Sequence, residues 1–69
     1  MQYAKTTQPF VVRLRNKQDE LSGYVDVCYG TEIECEKYLK RLQLTLPNFV
    51  EIWLLDTATL INIWYTTGV

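Results

Sequence analysis

The clearest hydrophobic pattern in the chain lies near its end, at residues 49–65. The sequence FVEIWLLDTATLINIWY contains two runs of β-branched and aromatic residues, separated by the polar segment DTAT at residues 56–59. Two such runs around a short polar break are typical of antiparallel strands joined by a turn. The pattern therefore predicts a β-hairpin with its loop at residues 56–59.

A loop at this position sets the register of the hairpin, with Leu55 opposite Leu60 and Val50 opposite Tyr65. Because successive side chains of a strand point to opposite faces, the register predicts two faces. The face predicted to line the core is mostly aliphatic and contains Val50, Ile52, Leu54, Ile61, Ile63 and Tyr65. The opposite face holds both tryptophans and contains Glu51, Trp53, Leu55, Leu60, Asn62 and Trp64.

An earlier pair of alternating segments predicts another hairpin, at residues 10–16 and 21–29. Phe10, Val12 and Leu14 share the predicted core face of the first segment, and Arg13 is expected opposite Tyr24. In the second segment, the residues predicted to face the core are Val25, Val27 and Tyr29. The residues predicted to face away from it are Tyr24, Asp26 and Cys28.

A helix is predicted between the two hairpins. The sequence TEIE at residues 31–34 is a capping box, in which the Thr31 hydroxyl and the Glu34 carboxylate each accept a backbone N–H of the other residue. Pro47 ends the helix. The apolar face of the helix, at the spacing of one helical stripe, consists of Cys35, Tyr38, Leu39 and Leu42.

This element order predicts an α+β fold, ββαββ, with one helix packed on a four-stranded mixed sheet. A right-handed crossover after the helix gives the β-grasp-like strand order 2-1-4-3, with the last strand parallel to the first. In that order residues 21–29 and 49–55 form the edges, and either edge could pair with a second copy or with a partner's strand. Residues 1–8 are polar and predict a flexible lead-in, so the single domain is expected at residues 9–67.

In element order, helix length and the WLLDTATLINIW hairpin, the chain resembles the small immunoglobulin-binding domains of the protein G type. The resemblance implies a β-grasp arrangement. It concerns architecture and covers no binding motif, so it implies no function.

Composition and charge narrow the possible functions. The 48% of hydrophobic residues argues for a folded chain, and at 69 residues self-association would add useful burial. The net charge of −1 creates no field that favours nucleic acid or an anionic membrane. The N-terminus lacks the apolar segment of a signal peptide, and no apolar run approaches the roughly 18 residues that span a bilayer. We therefore expect a cytoplasmic protein.

Few residues could support catalysis or bind a cofactor. The chain has no histidine and a single serine, Ser22, without an identifiable catalytic partner. Its two cysteines, Cys28 and Cys35, are interpreted as buried thiols, with a redox pair as the alternative. No glycine-rich phosphate loop is present. We expect no enzymatic activity, no metal and no cofactor.

The sheet face without a helix, called the helix-free face below, is the candidate functional surface. One helix covers one face of the sheet, and monomers seldom expose a large apolar patch. Trp, Tyr and Arg dominate the binding energy of protein interfaces. The candidate partner-binding residues are Arg13, Arg15, Tyr24, Trp53, Leu55, Leu60 and Trp64.

We therefore expect a small protein–protein interaction module that acts as an adaptor, regulator or inhibitor of a larger complex. A homodimer through the helix-free face is the first use to test. The alternative function is single-stranded nucleic-acid binding at the same face, where bases stack on aromatic rings and arginines hold phosphates. A third interpretation is that residues 1–8 fold back over this face.

Overall fold

Two strands, one helix and two further strands follow one another along the chain, as predicted. The computed structural model describes residues 8–19, 21 and 23–69. The strands are β1 (Phe10–Asn16), β2 (Tyr24–Gly30), β3 (Val50–Asp56) and β4 (Asn62–Thr67), and the helix is α1 (Glu32–Thr45). The domain is therefore a small α+β fold. Of the predicted lead-in only Gln8, which is exposed, belongs to the described residues.

The strands are arranged in the order β2-β1-β3-β4, and every neighbouring pair is antiparallel. The predicted mixed sheet with the β-grasp-like order 2-1-4-3 is wrong, because β3 rather than β4 lies beside β1. The physical reason is the composition of the two strands. Three side chains of β3 are buried, namely Ile52, Leu54 and Leu55, whereas β4 is largely exposed. Because an internal position buries more of the apolar surface of β3, the edge strands are β2 and β4. The prediction that residues 49–55 form an edge is therefore wrong.

The core lies between α1 and one face of the sheet. Its fully buried members come from three elements and are Val12, Cys35, Leu39, Ile52 and Leu54. Tyr38 and Leu42 pack against this cluster, which confirms the predicted apolar stripe of the helix. Burial of these side chains holds the helix on the sheet.

The predicted capping box is present at the start of α1. The Thr31 hydroxyl accepts the backbone N–H of Glu34 at 3.2 Å, and Glu34 Oε1 accepts the backbone N–H of Thr31 at 3.0 Å. The hydrogen bond from the Thr31 backbone, followed by that from its hydroxyl, lowers the pKa of Glu34 below its ordinary value. The cap supplies partners for backbone donors that the helix itself leaves unpaired.

The loop of the second hairpin lies at residues 57–61, whereas the prediction places it at residues 56–59. The backbone N–H of Asp56 donates to the carbonyl of Ile61 at 3.1 Å and closes the loop. Asp56 Oδ1 also accepts the backbone N–H of Ala58 at 2.8 Å, a bond that stabilises the turn. Leu60 adopts a φ of 60° within the loop, so the predicted pair of Leu55 with Leu60 does not form.

A β-bulge in β4 changes which of its side chains face the core. Asn62 lies opposite Leu55 and Trp64 lies opposite Leu54, so Ile63 is an extra residue between them. One extra residue reverses the faces for the remainder of the strand. The prediction that Trp64 lies on the helix-free face is therefore wrong, and Trp64 packs against the core.

The bulge also corrects the predicted core face of this hairpin. Tyr65 follows the bulge and lies opposite Trp53 on the helix-free face, where it is 46% exposed. Ile61 and Ile63 are 63% and 48% exposed, because they lie beside the turn at the sheet edge. These three residues are not part of the core, contrary to the prediction.

A second bulge has the same effect in β2. Val27 is the extra residue, since the register shifts between the pairs on either side of it. Cys28 consequently faces α1 and approaches Cys35, and Tyr29 lies on the helix-free face opposite Val11. The predicted faces of Cys28 and Tyr29 are both wrong for this reason.

Candidate interaction surface on the helix-free face

The helix-free face is built from side chains of all four strands. It consists of three transverse rows, each with one residue from β2, β1, β3 and β4 in that order: Tyr29, Val11, Leu55 and Asn62; Asp26, Arg13, Trp53 and Tyr65; and Tyr24, Arg15, Glu51 and Thr67. In the first row, Val11 and Leu55 are only 1% and 6% exposed. The accessible part of the face is therefore formed mainly by the other two rows.

Three aromatic rings cross this face from β2 to β4. The ring centroids of Tyr24 and Trp53 are 5.4 Å apart, with an edge-to-face angle of 67°. The centroids of Trp53 and Tyr65 are 5.5 Å apart at an angle of 52°. Tyr24 and Tyr65 are 57% and 46% exposed, and Trp53 is half-buried between them. Both ring–ring contacts are energetically favourable, and together they link the three side chains into one connected aromatic strip.

The two arginines of the face are both paired with carboxylates. Arg13 Nε donates to Asp26 Oδ1 at 2.6 Å and Arg13 Nη2 donates to Oδ2 at 3.2 Å, and this bonding raises the pKa of Arg13. Arg15 Nε lies 3.9 Å from Glu51 Oε1. The guanidinium carbons of both arginines are within 6 Å of the Tyr24 ring centroid, at 5.7 and 5.8 Å, which adds cation–π attraction.

Two tyrosine hydroxyls complete the network on this face. The Tyr29 hydroxyl donates to Asp26 Oδ2 at 3.0 Å, and the Tyr65 hydroxyl donates to Glu51 Oε2 at 2.9 Å. The hydrogen bond to Glu51 is the main cause that raises the pKa of Tyr65. Burial, and then the bond to Asp26, raises the pKa of Tyr29. Each carboxylate therefore joins an arginine and a tyrosine and orients both.

The structure brings together five of the seven predicted partner-binding residues, namely Arg13, Arg15, Tyr24, Trp53 and Leu55. Leu60 lies in the hairpin loop and is 58% exposed. Trp64 lies on the core side, where Lys40 Nζ is 5.5 Å from its ring centroid. The partner-binding role of all seven residues stays a prediction.

Sequence reasoning missed Tyr29 and Tyr65 as members of this face. Each of them follows a bulge, at Val27 and Ile63 respectively, and strict alternation assigns it to the wrong side. Neither bulge is marked by a glycine, which is the residue that most often signals one. The sequence therefore contains no local signal for these two residues.

Cys28 of β2 and Cys35, near the start of α1, are free thiols on the core side of the sheet. Cys35 is fully buried, and its Sγ lies 4.0 Å from the Cys28 carbonyl oxygen. Burial, followed by the neighbouring Cys28, raises the pKa of Cys35 to about 12. A thiol of this kind stays protonated near neutral pH and reacts slowly, which favours the interpretation of Cys35 as a buried structural thiol.

Comparisons of the chain with protein-family models, with curated proteins and with solved structures found no match in any of the three. In the part of the chain that the structure describes, no helix is long and apolar enough to cross a membrane. The described residues also contain no group of three or more His, Cys, Asp or Glu side chains that could hold a metal ion.

Proposed function

We propose that this chain is a small non-enzymatic interaction module, an adaptor, regulator or inhibitor, that binds a partner protein through its helix-free face. The aromatic strip of Tyr24, Trp53 and Tyr65 carries the proposal, because its two outer rings remain about half exposed. Exposed aromatic rings beside arginines are the groups that contribute most binding energy at protein interfaces. The expected cytoplasmic location is part of this proposal and suits a protein with two free thiols.

The charges of the face favour a neutral protein surface as the occupant. Arg13 is paired with Asp26, and Arg15 lies close to Glu51, so the four charges sum to zero. A partner can cover the face without leaving either arginine buried and unpaired, which would be costly. Complementarity therefore requires apolar contact with the rings and hydrogen bonds at the rim, rather than a counter-charge.

The same ion pairs weigh against the nucleic-acid alternative. To hold a phosphate, Arg13 would have to give up its two bonds to Asp26, and Glu51 beside Arg15 would repel the phosphate. Base stacking on the aromatic strip would still be available. Nucleic-acid binding is therefore kept as an alternative outcome of the test.

The test compares Trp53→Ser with Lys37→Ser, a control on the exposed surface of α1. Proteins captured from an extract of the native host are purified and then titrated against the wild type and both variants. We expect Trp53→Ser to weaken binding by at least about tenfold, roughly 1.4 kcal/mol, and the control to bind as the wild type does. Circular dichroism checks that each variant is folded.

Other results would contradict the proposal. Partner binding that is unchanged by Trp53→Ser would show that another surface is used. The alternative function would be supported if a labelled single-stranded oligonucleotide bound in a salt-dependent manner that requires Trp53, and if no captured protein required Trp53 for binding.

A further inference from the structure

The edge strand β4 lies in a segment without charged side chains. Residues 57–69 contain no Asp, Glu, Lys or Arg, and no proline. Edge strands of monomeric proteins usually carry such residues, because they prevent another strand from pairing. The other edge strand, β2, carries Asp26. The bulge at Ile63 lies near the turn and leaves the rest of β4 regularly paired with β3.

The outward backbone groups of β4 belong to Tyr65 and Thr67. The N–H of Gly68 donates to the carbonyl of Val50 at 3.1 Å. Hydrogen-bonded and non-hydrogen-bonded pairs alternate in an antiparallel ladder, so Tyr65 and Thr67 occupy the non-hydrogen-bonded positions. Their N–H and C=O groups therefore point away from β3. The Thr67 carbonyl accepts one long bond, 3.4 Å, from the hydroxyl of Thr66.

The helix leaves the turn-proximal part of β4 exposed. α1 packs over β1, β2 and β3. It reaches β4 near its end, where Gln43 Nε2 donates to Thr66 Oγ1 at 2.8 Å. Ile61 and Ile63, nearer the turn, are 63% and 48% exposed. This edge therefore combines outward-pointing backbone groups with exposed aliphatic side chains.

We propose that β4 pairs antiparallel with β4 of a second copy of this chain and joins the two sheets into one. Pairing of an edge with its own copy is a two-fold symmetric contact in which both chains use the same surface. A charged residue near the axis would face its own copy, and β4 has none, so no like charges are opposed. In the dimer, β4 of the second copy covers Tyr65 on the helix-free face and Ile63 near the face that α1 covers.

This pairing goes beyond the proposed function because it uses the edge and leaves Tyr24 and Trp53 of the helix-free face open in both copies. The aromatic strips of the two copies, which end at Tyr65, would then lie on one continuous sheet. Self-association is thereby assigned to the β4 edge and partner binding to a face that shares only Tyr65 with it, so separate substitutions at Thr67 and at Trp53 can test them.

The first experiment measures hydrogen exchange of individual backbone amides in the full chain at several protein concentrations, with mass measured in the same samples. We expect the amides of Tyr65 and Thr67 to exchange at least about tenfold more slowly in the dimer than in the diluted monomer. The amides of Trp64 and Thr66, which face β3, serve as internal controls and should change little.

The second experiment uses substitutions at the edge. Ile63→Lys adds a charge to the edge strand, and Thr67→Pro removes an outward N–H. Each should weaken dimerisation at least about tenfold, as expected for a blocked edge strand. Ile33→Lys, at an isoleucine of α1 that is 66% exposed, is the matched control and should dimerise normally. Trp53→Ser should also leave this dimer intact.

Three results would overturn edge pairing. A dimer that Trp53→Ser dissociates, with the Tyr65 and Thr67 amides unprotected, would assign self-association to the helix-free face and support the proposed function. A chain that stays monomeric at millimolar concentration would refute the pairing and leave partner binding untouched. Protection of both amides in the monomer would show that another segment of the same chain occupies the edge.

Discussion

Trp64 lies directly opposite Leu54 across β3 and β4, on the sheet face that α1 covers. Leu54 is 1% exposed and belongs to the core, and Trp64 packs against that core. Trp53 lies on the other face, between Tyr24 and Tyr65. The two tryptophans, which strict alternation assigns to one face, therefore have different surroundings and different expected roles.

We predict that the two tryptophans contribute unequally to stability. Trp64→Ser removes a ring packed on the core and should lower the free energy of unfolding by about 2 kcal/mol or more. Trp53→Ser removes aromatic contacts at the surface and should cost about 1 kcal/mol. Urea denaturation followed by far-UV circular dichroism measures both. A larger loss for Trp53→Ser would mean that the faces of the hairpin are assigned the wrong way round.

Deletion of the bulge residue Ile63 should preserve the fold. Without it, Asn62 stays opposite Leu55 and Trp64 becomes its regular neighbour opposite Leu54, so no later side chain changes face. We expect a loss of stability of about 1 kcal/mol, the typical cost of a single mutation. Thermal denaturation and an amide NMR spectrum check this.

The matched control is deletion of Ile52, in the regular part of β3. That change reverses the faces on one side of the deletion and should unfold the chain, because core and surface side chains exchange places. A folded Ile52 deletion, or an unfolded Ile63 deletion, would contradict the register described for β3 and β4.

The capping box predicts a specific dependence of stability on pH. Thr31→Ala should lower the free energy of unfolding by about 1 kcal/mol at neutral pH, the typical loss for an N-cap residue.

The pKa of Glu34 is lower in the folded chain than its ordinary value of 4.5, so ionised Glu34 stabilises the fold above that pH. This contribution is lost as the pH falls through the lower, folded-state pKa.

Urea unfolding of the wild type and Glu34→Gln at a series of pH values measures the effect. The stability advantage of the wild type should be full near neutral pH and should shrink on acidification below about pH 4.5. Glu32→Gln, in the same first turn, is the control. An advantage of the wild type that is the same at neutral and acidic pH would contradict the role of the Glu34 carboxylate.

The cysteines should differ in their reaction with iodoacetamide. In Cys28→Ser the remaining Cys35 is buried, and burial still raises its thiol pKa, so it should react at the rate of unfolding. Raising the pH through 9.0, the ordinary thiol pKa, should not accelerate it. In Cys35→Ser the half-buried Cys28 should react faster. Rapid labelling of both thiols in the native protein would contradict burial and reopen the redox interpretation.

The candidate surface could be predicted in part from the sequence. Strict alternation correctly places four residues on the helix-free face, namely Arg13, Arg15, Tyr24 and Trp53. Tyr24 precedes the bulge of β2, and the other three belong to β1 and β3, which contain no bulge. Beyond the bulges strict alternation fails, because it predicts Trp64 on this face and Tyr65 on the opposite one. The ion pair of Arg13 with Asp26 also depends on the true register, since the predicted one pairs Arg13 with Tyr24.

The five elements, the Thr31–Glu34 cap and the apolar stripe of α1 all follow from the sequence alone. These features arise from residues at most a few positions apart, whose geometry the chain sets locally. The strand order and the placement of side chains after Val27 and Ile63, in contrast, depend on how the whole chain packs. Both depend on competition for burial between distant segments: apolar β3 occupies the internal position, and each bulge turns Cys28 or Trp64 toward the helix.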